Sequence, residues 1–168
     1  MMLEEIIAKI ENVSKNEVKR VAPSNCRDIH TIIRESVPRN PYHNMVLGYL
    51  TSLCAEYMYP GTFHLETKEL DYVGFELERG IIEVDLAGNN LGSCMRSGKI
   101  IVKKAGNETG SSMIGGEIIA DEIKSIGNTL GGKIHAKKVH KISKDQGAEI
   151  FIKGKKFKRG FLDRLLGR

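Results

Sequence analysis

An 18-residue period dominates the chain after Gly61 and restricts it more than any other feature. Three segments, Glu69 to Val84, Ala87 to Val102 and Ala105 to Ala120, align without a gap. Each carries Asn or Asp, a Gly three residues on, Leu or Met three further, a second Gly three further, and then a short β-branched stretch. The positions that define the repeat are Gly74 and Gly80, then Asn89, Gly92 and Gly98, then Asn107, Gly110 and Gly116. A shortened fourth copy supplies Asn128 and Gly132, and half-copies stand at Gly61 to Leu65 and Gly147 to Ile152. One repeat cannot bury its own apolar face, so the copies must stack. If each is one coil of a parallel β-helix, Ile82, Ile100, Ile118 and Ile134 pile into a ladder about 4.8 Å per step, with Val84, Val102, Ala120 and Ala136 beside them. Leu77, Met95 and Met113 form a second inward ladder. The glycines fall at turns that need positive φ or close approach of coils, and Asn89 and Asn107 stack as an amide ladder that satisfies backbone groups at the corners.

The first sixty residues read differently. All four prolines lie there, while 17 of the 18 glycines follow. Leu3, Ile6, Ile7, Ile10 and Val13 recur as one helix face, Ser14-x-x-Glu17 is a capping signal, and a helix over Asp28 to Ser36 stops at Val37-Pro38. Asn40-Pro41 pairs an N-cap with proline at the first helical position, ahead of a broad stripe of Met45, Val46, Tyr49, Leu50, Leu53, Cys54 and Tyr57. The chain therefore divides into a helical N-terminal cap or arm over 1–60, a β-helix over 61–152, and a basic tail or short helix over 153–168. The fold class is mainly β, a short single-stranded parallel solenoid with an α-helical segment before it.

Composition and charge narrow the function. From Lys133 onward there are 12 Lys and Arg against 3 Asp and Glu, leaving 14 against 18 before it, so the basic character belongs to the C-terminal quarter. A basic segment with interleaved Phe157 and Phe161 could track a phosphate backbone, but only general electrostatics supports that, and a solvated tail with a docked terminal helix is the favoured reading. Nucleic acid is not the expected partner. No apolar run is long enough to span a membrane. The start Met1-Met2-Leu3-Glu4-Glu5 lacks the basic-then-apolar order of a signal peptide, which makes a cytoplasmic location the expectation. Cys26, Cys54 and Cys94 include no Cys-x-x-Cys pair and read as reduced packing thiols.

Catalytic chemistry is sparse. The glycines recur in every repeat with no helix after them, which argues against a dinucleotide fingerprint, and no Gly-Lys-Ser/Thr occurs to make a P-loop. His30, His43, His64, His135 and His140 make no pair at metal-ligand helical spacing. Cys94 aligns with Ser112, which favours a shared packing role over nucleophilic work, and Gly110-Ser111-Ser112-Met113-Ile114 lacks the second glycine of a nucleophile elbow. The outer strand face read at Glu83, Ile101, Ile119 and His135 is mixed and offers no row of acidic groups. No catalytic, cofactor-binding or metal residues are assigned, and no cofactor is expected.

The repeats Asn89-x-x-Gly92-x-x-Met95-x-x-Gly98-x-Ile100 and Asn107-x-x-Gly110-x-x-Met113-x-Gly115-Gly116-x-Ile118 resemble the GXGXG repeat. That repeat builds the C-terminal domain of the glutamate synthase large subunit and most of one of the subunits of formylmethanofuran dehydrogenase. The resemblance covers about residues 61 to 140 and implies a right-handed β-helix. It also implies a non-catalytic structural or assembly role, with cofactor-bearing oxidoreductase subunits as partners, or a stand-alone relative of unassigned role. Self-association is a further expectation. The alternatives from other classes are a small hydrolase or ligand-binding β-helix, and nucleic-acid binding through the basic tail.

Overall fold

Six strands stack in parallel in chain order, and a seventh turns back on the last of them. They are β1 (Thr62–His64), β2 (Ile81–Leu86), β3 (Lys99–Ala105), β4 (Glu117–Ile126), β5 (Lys133–Ile142), β6 (Glu149–Ile152) and β7 (Lys155–Lys156). The computed structural model describes residues 1–158. Every pairing from β1 to β6 is parallel, as a solenoid of about five coils requires, and only β6 with β7 is antiparallel.

The predicted ladders are present. Phe63, Ile82, Ile100, Ile118, Ile134 and Ile150 pair in turn along the stack, and all are buried. Val84, Val102, Ala120 and Ala136 form the adjacent inward row, and Leu77, Met95 and Met113 are fully buried in another. One further inward row, Val73, Leu91, Thr109 and Ile126, went unread in the sequence because Thr109 looks polar. Its hydroxyl donates to the Gly106 carbonyl at 3.2 Å, which lets it sit in the core.

The coil length changes midway. Ala105 pairs with Ile123, 18 residues on; Thr109 bridges Ile126, 17 on; Glu117 pairs with Lys133, 16 on. Each 18-residue coil carries two non-glycine residues at positive φ, Tyr72 and Glu76, Asn90 and Cys94, Glu108 and Ser112. None occurs between Ser112 and Lys153. The shorter coils thus lack both non-glycine left-handed corners of the longer ones. This moves Asn128: the asparagine ladder continues at Ser125, and Asn128 stands one corner further along, its carbonyl accepting from Ser112 N at 2.7 Å.

Four helices precede the solenoid: α1 (Leu3–Lys9), α2 (Lys15–Val21), α3 (Cys26–Glu35) and α4 (Pro41–Met58). Their starts follow local chemistry, with Ser14, Asn25 and Asn40 side chains accepting from the N–H groups of Glu17, Asp28 and His43. The first helix is shorter than its apolar periodicity suggests. It ends at Lys9, and Ile10 and Val13 pack on the core from the connecting loop instead. Helix α3 begins at Cys26, ahead of the predicted Asp28, because Asn25 rather than a later residue caps it.

Helix α4 is buried from Val46 through Ala55 between the other helices and the first coil. Its contact with the solenoid combines the Tyr49 ring, stacked on Phe75, with small and hydroxyl residues. Gly48 lets the helix touch the corner at Tyr72, where any Cβ would collide with the Tyr72 carbonyl. Within the stack, Gly92 N donates to Val73 O and Gly110 N to Leu91 O, each to the preceding coil. Gly74 has no such coil before it, and its N–H donates to Thr51 Oγ1 at 2.9 Å. Ser52 Oγ donates to Phe75 O at 2.7 Å, and Lys15 Nζ to Glu76 O at 2.8 Å. Helix α4 and Lys15 thus take the place of the coil that would otherwise satisfy this end of the stack.

Candidate interaction surfaces

Side chains alternate across a strand, so the rows that point inward dictate which rows face water. Three outward rows cross the sheet. The first runs Thr62, Ile81, Lys99, Glu117, Lys133 and Glu149, and the second runs His64, Glu83, Ile101, Ile119, His135 and Phe151. The same spacing puts Asp85, Lys103, Asp121 and Lys137 in the third. Sign alternates from strand to strand: β2 is acidic, β3 basic, β4 acidic, β5 basic and β6 acidic again. The neighbours pair across strands, Lys99 with Glu117 at 3.6 Å, Lys103 with Asp85 at 3.4 Å and Lys137 with Asp121 at 3.2 Å. Opposite charges side by side stabilise a parallel stack modestly, by about 0.2–1 kcal/mol a pair. The row between them is half-buried at Ile101, Ile119, His135 and Phe151. The sequence reading of this face as mixed missed the order within the mixture, which appears only once the offset between strands is known.

The histidines are occupied by local contacts. His135 stacks on Phe151 with ring centroids 4.9 Å apart and lies 3.4 Å from Glu117. His140 Nε2 is 2.6 Å from Glu122 Oε2, and that contact, first among its causes, lowers the Glu122 pKa. His30 packs edge-on against Phe63, and its Nε2 accepts the Glu66 N–H at 3.1 Å. Among the described residues no group of three His, Cys, Asp or Glu side chains is placed to hold a metal ion.

The structure joins two cysteines that the sequence separates by 28 positions. Cys54 Sγ donates to the Cys26 carbonyl at 3.5 Å. The contact between the two thiols lowers the Cys26 pKa; the same contact and then burial push Cys54 far up. All three cysteines are free thiols. Cys94 occupies a left-handed corner equivalent to Ser112 and Glu76, so its alignment with Ser112 reflects a shared backbone position.

The repeat glycines all have positive φ, from 67° at Gly92 to 97° at Gly80, with Gly74, Gly98, Gly110, Gly116 and Gly132 between. Asp71 Oδ1 accepts from Asn89 N at 2.8 Å, and Asn89 Oδ1 from Asn107 N at 2.9 Å, while Asn107 Oδ1 accepts from Ser125 Oγ at 3.2 Å. These residues build corners and do not converge on a cavity. A groove of about 500 Å³ lies beside the short first strand, lined by His64, Glu66, Lys68, Glu83, Asp85 and Leu86. Most of its charges are engaged: Arg34 with Glu66 at 3.6 Å, His64 with Glu83 at 3.8 Å and Lys103 with Asp85.

The basic stretch begins as structure. Lys153 and Gly154 make a left-handed turn into β7, and Phe157 N donates back to Ile150 O at 2.7 Å. The predicted terminal helix with Phe161, Leu162, Leu165 and Leu166 lies outside the described residues. Exposed apolar side chains include Ile114 and Leu130 at equivalent corners of adjacent coils, and Tyr57, Met58 and Tyr59 at the end of α4. No helix among the described residues is long and apolar enough to cross a membrane.

Fold and surface together define a short parallel β-solenoid, closed at one end by its own helices and presenting an ordered sheet face. Compared with family models, curated proteins and solved structures, the chain matches none.

Proposed function

We propose that the chain is a non-catalytic scaffold or assembly subunit of a redox enzyme complex, in the manner of the β-helical parts of glutamate synthase and formylmethanofuran dehydrogenase. The observation that carries this reading is the outer sheet face, whose charges alternate in fixed order around a half-buried apolar row. A stack held by backbone ladders cannot easily deform, so such a face presents fixed side-chain positions to a partner and costs little ordering entropy on binding. The exposed Tyr and Met residues at the end of α4 add side chains that are common at interfaces. The partners in this reading are cofactor-bearing oxidoreductase subunits, and the GXGXG-like repeat is its second support.

The test is gentle purification of the tagged protein from its native cells in moderate salt, followed by mass spectrometry of what remains bound. Stoichiometric recovery of a metal-cofactor, iron–sulfur or glutamate-synthase-type subunit is the expected result. Recovery without any other protein overturns the reading and directs attention to ligands and hydrolytic substrates.

A further inference from the structure

We infer that the outer sheet face is a self-association surface and that its occupant is a second copy of this chain. The two copies are related by a two-fold axis running along the strands, between β3 and β4. The inference rests on the scaffold reading and narrows it: the second copy takes the sheet face, which leaves the exposed Tyr57, Met58 and Tyr59 at the end of α4 to a cofactor-bearing partner; its geometry comes from the order of charges.

A face-to-face pair of identical sheets needs its two-fold axis in the plane of contact. An axis along the strands keeps each outward row on itself and reverses the strand order. Placed between β3 and β4, it sets β3 on the partner's β4, β2 on β5 and β1 on β6. Because sign alternates from β2 to β5, the β3–β4 and β2–β5 meetings join opposite charges, while β1 on β6 sets His64 against the partner's Phe151. Lys99 faces the partner's Glu117, Lys103 faces the partner's Asp121, Asp85 faces the partner's Lys137 and Glu83 faces the partner's His135. At the centre Ile101 lies on the partner's Ile119. An axis along the coil stack would instead lay each strand on its own copy and bring Lys99 onto the partner's Lys103. Moving the axis by one strand keeps the signs but loses the overlap of all six parallel strands and separates the isoleucines.

Parallel sheets are usually covered on both faces, and here one face is open with Ile101, Ile119 and Phe151 only half-buried. Six strands at about 4.8 Å by five residues at about 3.3 Å offer roughly 500 Å² per copy, or about 1,000 Å² in all, the lower limit for a specific interface. The association is therefore weak, and sensitive to salt because its outer rows are charged.

Sedimentation equilibrium of the full chain across protein concentrations, at low and moderate salt, tests the inference. A monomer–dimer equilibrium that weakens with salt is expected. Lys103→Glu creates a like-charge contact twice by symmetry and should weaken the dimer by about tenfold or more. Adding Asp121→Lys to that chain should restore it, while Ile119→Arg should leave only monomer. Unchanged circular dichroism and melting temperature confirm that each variant folds. A strict monomer at every concentration overturns the inference, as does a dimer indifferent to these substitutions or a Lys103→Glu loss that Asp121→Lys does not repair. A monomer that still co-purifies with a cofactor-bearing protein sinks the self-association and leaves the scaffold reading standing. A salt-sensitive dimer that co-purifies with nothing else does the reverse.

Discussion

At the scale of single residues, the corners carry the strongest constraint. Four positions in each long coil take positive φ, and only two of them are glycine, so Tyr72, Asn90 and Glu108 hold conformations that L residues seldom adopt. Gly110 combines a φ of 71° with crowding: a Cβ there would lie 2.9 Å from Met113 Sδ and 3.1 Å from Ile134 Cδ1. Gly110→Val should lower stability by more than about 1 kcal/mol, read as a fall in melting temperature, whereas no change would remove the corner from the account of the fold. His30 makes a pH-dependent contribution. Partial burial first, and then Arg34, lower its pKa, and its Nε2 is already an acceptor for Glu66 N–H. In the unfolded chain it titrates near the usual value of about 6.5. Below that pH the unfolded chain binds a proton the folded chain resists, so this contribution is intact above about 6.5 and lost as pH falls. Urea midpoints of wild type and His30→Gln, compared between about pH 7.5 and about pH 5.5, should show a smaller acid loss in the variant. An equal loss would show that His30 does not titrate differently on folding.

At the scale of elements, helix α4 matters more than any strand because it finishes the hydrogen bonding of the first coil. Thr51→Val keeps the shape of the side chain and removes the acceptor for Gly74 N–H, which is buried. The expected loss is about 1–3 kcal/mol in chemical denaturation, the range for an orphaned buried donor. A neutral result would mean that Gly74 N–H finds another partner and that α4 is held by apolar packing alone, through the stacked rings of Tyr49 and Phe75, 4.4 Å apart. The strands show the opposite economy. Losing two residues shortens the coil from 18 to 16 while leaving the isoleucine ladder in register, since Ile118 still pairs with Ile134.

For the whole molecule, the two ends of the stack are finished differently. The first is covered by α4 over Val73 and Phe75, and the last by a return of the chain, β7 folding back on β6 with Phe157 against the core. A chain beginning at Gly61 would expose Leu70, Val73 and Phe75 together with the unsatisfied groups of the first coil. Such a chain should aggregate or bind a hydrophobic dye at concentrations where the full protein does neither. If it stays monomeric with an unchanged melting temperature, the helices are an appendage rather than a seal.

Much of this architecture was legible in advance because a solenoid translates period into neighbourhood. Once Ile82, Ile100 and Ile118 recur at one offset, stacking alone makes them touch, and the amide ladder of Asn89 and Asn107 follows from the same offset. Helix starts at Ser14 and Asn40 were equally plain, since an N-cap is a contact between residues three apart. What escaped depends on residues distant in the chain. Thr51 and Ser52 read as ordinary polar residues on a helix until Gly74 and Phe75 are seen above them, 23 positions on. The Cys26 and Cys54 contact and the displacement of Asn128 by a shortened coil were hidden for the same reason. The sequence by itself determined the repeating coil, its inward rows and the break near residue 60, because these depend on local conformation and on a constant period. Only the tertiary structure decided how the first coil is closed, where the period slips and how charges are ordered across the open face. Those depend on which backbone groups and side chains are left without a neighbour once the coils have stacked.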